Sequence, residues 1–176
     1  MKFALIAVMV AVSSSVAADR DASNYVGSKA CGICHKSEDT GNALGRWQAS
    51  QHAKAFETLG TPAAKETGKK VGVDDPQKSG KCLKCHSTAY NFTEAVATEK
   101  IKVEEGVSCE SCHGPGKKYM PKSTMEDRAK SVAAGMIYPA TQSCTKCHNS
   151  ESPNFKGFDE KAYFAKIAHP DPKVKH

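Results

Sequence analysis

All eight cysteines of the 176-residue chain fall in four C-x-x-C-H units. These are Cys31-Gly32-Ile33-Cys34-His35, Cys82-Leu83-Lys84-Cys85-His86, Cys109-Glu110-Ser111-Cys112-His113 and Cys144-Thr145-Lys146-Cys147-His148. Two thiols and an imidazole at this spacing can carry c-type haem: the thiols add to the porphyrin vinyl groups and the histidine reaches the iron from the proximal side. On a short helical turn, cysteines three apart share one face, and the next residue can turn its imidazole under the metal. An even cysteine count in an exported chain would also allow disulfides, but the spacing argues against them. A thioredoxin-like pair needs one site in a βαβ pattern. Zinc sites built from paired C-x-x-C units would leave the fifth-position histidines redundant. The spacing therefore predicts four covalently bound haem c groups, with His35, His86, His113 and His148 as proximal iron ligands.

Positioning these groups takes little polypeptide core. The chain is 39% hydrophobic and 7% aromatic with one Trp, and its mean hydropathy is −0.51. That excludes a membrane protein of several spans and a large multidomain enzyme. Residues 1–18 read as a secretory signal: Met1-Lys2, an apolar run from Phe3 to Val12, then small residues, too short to span a bilayer and without a basic stop-transfer flank. The mature chain, 19–176, then works outside the cytoplasm with no stable membrane span. Motif starts at 31, 82, 109 and 144 follow no fixed period, which predicts one interwoven domain. At about forty residues per haem, much of the apolar ring surface must be buried against other haems.

The intervening segments read as helices and loops with little regular sheet. A helix is expected over Ala43–Leu59, with Trp47, Ala55, Phe56 and Leu59 on its apolar stripe and Gly60-Thr61-Pro62 ending it. A helical turn from Pro62 towards Gly68 leads into an exposed loop over 65–80. Tyr90–Val103 reads equally as a helix fragment or a hairpin. Ser123-Thr124-Met125-Glu126 has the capping-box pattern for a helix to Ala134, stopped by Gly135. Asp159 is a good N-cap for a helix through Ala168, closed by His169-Pro170.

Four irons need more axial ligands than the histidines supply. Beyond the proximal four, only His52, His169 and His176 remain. His52 lies on the buried stripe of its expected helix and His169 closes the last one, so both are candidate distal ligands. His176 is the terminal residue, where a frayed end makes a poor ligand. At least one iron is left with a methionine, chosen among Met120, Met125 and Met136, or with an open site able to meet a small ligand. Packing is the default role for Met125 and Met136.

Three stretches carry a resemblance to a known family. They are Trp47-Gln48-Ala49-Ser50-Gln51-His52-Ala53-Lys54-Ala55-Phe56-Glu57-Thr58-Leu59, Cys109-Glu110-Ser111-Cys112-His113-Gly114-Pro115-Gly116, and Phe158-Asp159-Glu160 leading to His169. Over roughly Tyr25 to Pro170 the chain resembles the tetrahaem cytochrome c-554 family. The resemblance implies a mainly α fold with extensive loops, organised around four haems in closely packed pairs. It implies His52 and His169 as distal ligands of the third and fourth haems, and a five-coordinate haem at His86 with an accessible face. Where the family has a distal histidine for the first haem, seven residues past the third motif's histidine, this chain has Met120. Ligation by Met120, ligation by His176 and an empty position all stay open there.

The formal net charge of +6 is misleading for the holoprotein, because two propionates on each haem offset it. Lys69-Lys70, Lys117-Lys118 and the lysines of 173–175 could dock acidic redox partners, or serve as ordinary solvated surface. No basic and aromatic interleaving points to nucleic acid. The function expected is a periplasmic carrier of single electrons between periplasmic or membrane-associated redox proteins. The alternative is a small-molecule reductase acting on nitric oxide, nitrite or hydroxylamine at the His86 haem. A subunit of a haem filament is a third class, and the sequence does not set the oligomeric state.

Overall fold

The computed structural model describes residues 21–90 and 99–173. The expected signal segment, most of Tyr90–Val103 and His176 lie outside them. The described residues form short helices joined by turns and contain no strand. In order they are α1 (Ser28–Gly32), α2 (Ala43–Ala49), α3 (Ala55–Thr58), α4 (Pro62–Lys70), α5 (Gly80–His86), α6 (Cys109–His113), α7 (Lys122–Met125), α8 (Arg128–Ala133) and α9 (Glu160–Ile167). A 3-10 stretch, Ala140–Lys146, carries the start of the fourth motif. Among the described residues the longest helix has nine residues, below the length at which helices hold themselves in water, so packing must fix them. No described helix is long and apolar enough to cross a membrane.

The single helix expected over Ala43–Leu59 is two helices, with His52 in the break. Asn42 caps α2, its side chain accepting from Gly45 N at 3.2 Å. At Ser50 the backbone turns extended (φ −83°, ψ 163°), and the Ser50 hydroxyl accepts from His52 N at 3.2 Å. The His52 carbonyl accepts from Val107 N at 3.0 Å, a long-range bond that helical periodicity does not anticipate. Gly106, at φ 72°, allows this approach: a Cβ there would lie 2.7 Å from the His52 carbonyl oxygen.

The loop expected from residue 65 begins later, after α4. Thr61 caps that helix, accepting from Ala64 N at 3.2 Å, with Pro62 in its first turn, and Lys70 pairs with Glu66 at 2.8 Å. The expected helix after Ser123 is split as well. Asp127, in extended backbone, takes the N-cap of α8 and accepts from Lys130 N at 3.0 Å, while Ser123 lies inside α7. The stop at Gly135 is as expected, with φ 104°. So is α9, where Asp159 accepts from Ala162 N at 3.0 Å.

The polypeptide core is small. Tyr25, Ala89 and Ile101 form its one cluster of buried residues, with Val103 against it, and only eight apolar residues are buried among those described. That is too little for a chain of this size to be held by side chains alone. Gly27 seals one edge of the cluster at φ 81°, and a Cβ there would sit 2.2 Å from the Lys100 carbonyl oxygen. Gly27→Ala combines a left-handed backbone with a backbone clash. It should cost more than about 2 kcal/mol, measured as a lowered urea midpoint of the holoprotein.

Candidate haem-binding and axial-ligand site

Each motif is presented on one tight turn. Helices α5 and α6 contain the whole of the second and third motifs. In the first and fourth, the histidine amide donates back to the carbonyl of the first cysteine, His35 N to Cys31 O at 3.0 Å and His148 N to Cys144 O at 2.9 Å. This i to i+4 bond puts both thiols and the imidazole on one side of the turn.

All eight thiols are free, and Cys34 is exposed. They meet across motifs. Cys31 and Cys109 share a hydrogen bond that lowers the first thiol's pKa and raises the second's. Cys85 and Cys147 do the same, with Cys85 brought down to about 7. The first motif therefore adjoins the third, and the second adjoins the fourth.

The histidines also meet. His52 faces His148 with ring centroids 6.1 Å apart and planes at 61°. His169 faces His113 at 5.9 Å and 64°. Two imidazoles bonded at about 2 Å on opposite sides of one metal have centroids about 6 Å apart. Burial, and then the neighbouring His169 and His35, push His113 down to about 4. Burial, and then His148, lower His52, and burial lowers His148. Neutral imidazole is the form that binds a metal.

Two rings have their tautomer set by a carbonyl, which can only accept. His86 Nδ1 donates to Ala55 O at 2.8 Å and His169 Nδ1 to Ile167 O at 2.9 Å. Both leave Nε2 for a metal. Phe158 stacks on His148 at 4.4 Å and 12°.

A mostly apolar cleft of about 240 Å³ joins the first and third motifs; Cys31, His35, Cys109, His113, His169 and Met120 are among its walls. Met120 thus shares a cleft with His35, but it is 43% exposed, and Met125 and Met136 line the same cleft. A second cavity of about 200 Å³ lies between Cys85 and Cys147, rimmed by Lys84, Lys146 and Glu151. The Lys84 ammonium pairs with Glu151 across it. Paired thiols, imidazoles with a free Nε2 and an apolar cleft fit a c-type haem.

Sequence reasoning passed over Glu110, which is 2% exposed. Its carboxylate accepts from Val26 N at 3.0 Å and Gly27 N at 2.9 Å, ahead of the first motif, and from Gly116 N at 2.6 Å, beyond the third. Burial raises its pKa against the pull of these amides. The available signal was that Glu110 is the one acid between paired cysteines, beside glycines at 114 and 116.

The family model described as cytochrome c554 and c-prime matches residues 30–114, a span holding the first three motifs. Cytochrome c-554 of Nitrosomonas europaea is 31% identical over 159 residues, 81% of this chain; the match spans 64% of that relative's length. The solved structure of the reduced state of cytochrome c554 from Nitrosomonas europaea superposes with a TM-score of 0.54 at 26% identity, covering 77% of this chain and 70% of that one. With its helical fold and clustered Cys-His turns, the chain belongs to the cytochrome c-554 family.

Proposed function

We propose that the protein is an exported, periplasmic carrier of single electrons, holding four haem c groups through its four cysteine pairs. The observation that carries this is the pair of facing imidazoles, His52 with His148 and His113 with His169, near the separation a shared metal requires. Bound haem supplies a one-electron couple at its iron. The chain's own work is to hold and insulate it. Cys31 with Cys34, Cys82 with Cys85, Cys109 with Cys112 and Cys144 with Cys147 fix the ring edges. His35, His86, His113 and His148 take the proximal positions. The Ala55 and Ile167 carbonyls orient His86 and His169. The thiol contacts between first and third, and between second and fourth motifs, support two close haem pairs. Such pairs suit the passage of single electrons, and the lysine pairs Lys69-Lys70 and Lys117-Lys118 suit docking of acidic or membrane-associated redox proteins. Mass spectrometry and haem assay of the exported protein test this, with four attached groups expected; fewer would overturn it.

One observation favours a second reading. His52 and His169 face His148 and His113, which leaves neither of them for the haem at His86. With the open position the resemblance implies, that haem would be the one to meet nitric oxide, nitrite or hydroxylamine. Ferric-state electron paramagnetic resonance should reveal a minority high-spin centre; four low-spin centres would remove the open site. Turnover of nitric oxide or nitrite with an artificial donor, compared with free haem, separates reductase from carrier.

Met120 is our candidate for the sixth ligand of the first haem, opposite His35. A thioether there raises the potential relative to a histidine pair. Met120→Ala should alter one low-spin spectrum and lower that midpoint, whereas unchanged spectra and midpoints would exclude the ligand. His176 and an empty position are the competitors.

A further inference from the structure

Among the described residues, the largest fully buried charged side chain serves neither attachment nor ligation. Glu110 sits between the cysteines of the third motif, and its acceptors tie that motif to the backbone just ahead of the first. It stands where the first and third motifs meet, since α1 packs on α6, Cys31 and Cys109 line one cleft and the Glu110 charge acts on Cys31. Also facing this position are Glu105, whose carboxylate bonds the Ser28 hydroxyl, and the buried phenol of Tyr119, which donates to Gly114 O at 2.8 Å. Amide groups compensate the Glu110 carboxylate locally, but neutral amides leave its net charge in place.

We propose that Glu110 is a potential-setting residue, its buried negative charge holding the haems of the first and third motifs at lower midpoints than they would otherwise have. The proposal rests on the four-haem reading above. A fixed anion favours ferric over ferrous iron, because the ferric centre carries one more positive charge, and burial weakens the screening that would hide this in water. Glu110 touches no metal; it acts through the electrostatics of the ring edges and through the register of two motifs. Glu105 adds to the same field from the side of α1.

Glu110→Gln keeps an oxygen acceptor and removes the charge. Redox titration of the holoprotein should then show two of four midpoints raised, each by about a tenfold or larger change in the reduction equilibrium, about 59 mV for one electron. Glu105→Gln should raise the same two by less. In the unaltered protein these two midpoints should rise as the pH is lowered from about 8 to 4, because protonation removes the charge, and Glu110→Gln should flatten that dependence. A correctly loaded Glu110→Gln protein with all midpoints within twofold of the original, or with all four shifted equally, overturns the proposal. If that variant fails to assemble, the other two arms decide, and flat profiles with an inert Glu105→Gln also overturn it. Haem count and reversible reduction of the unaltered protein separate this failure from failure of the carrier reading.

Discussion

Replacing Cys109 and Cys112 by alanine is expected to yield a chain with one haem fewer and a loss of more than about 4 kcal/mol in stability, in the range that follows removal of a major core group. Helix α6 packs on α1 and on the 140–146 turn, so the third motif lies where three motifs converge. His113 and His169 would lose the metal that we assign between them. Mass spectrometry gives the haem count, and thermal melting followed by far-ultraviolet circular dichroism gives the stability. A variant that loses the haem but melts like the original would show that the side-chain core, small as it is, supports the fold alone.

His52→Ala has the second-largest expected effect, and it is spectroscopic. Only the ring opposite His148 is removed, because the backbone bonds of residue 52 to Val107 and Ala55 do not involve the side chain. One low-spin centre should become high-spin, its midpoint should rise by a tenfold or larger change in equilibrium, and added imidazole should restore the original spectrum. The His169→Ala counterpart should act on a different centre, the one at His113. Identical spectra for the two variants would contradict two separate ring pairs.

The motif turns were legible because they are written in local spacing: thiols three residues apart and a histidine next to them need one helical turn and nothing distant. The cap of α9 was legible for the same reason, since Asp159 bonds an amide three residues away. What failed to read were the features set by distant partners. The break between α2 and α3 depends on the Val107 amide and on Gly106, which no periodicity in 43–59 encodes. The resemblance assigned His52 and His169 to two different haems, the third and fourth; the order is set by distant packing, with the His52 ring facing His148 of the fourth motif and the His169 ring facing His113 of the third. Glu110 went unnoticed because its acceptors serve amides more than eighty residues away as well as close by. In the Ser123 region the pattern was present, but Asp127 offered a stronger cap four residues later.

The break between α2 and α3 and the first residue of α3 would serve two of the haem centres we propose. His52 presents its ring to His148, and three residues on, the Ala55 carbonyl holds His86 Nδ1 at 2.8 Å. A displacement of this stretch therefore reaches one centre through its far face and another through its near one. Retuning either in isolation requires changes made elsewhere, and natural variation at these positions should be read as acting on both members of the pair.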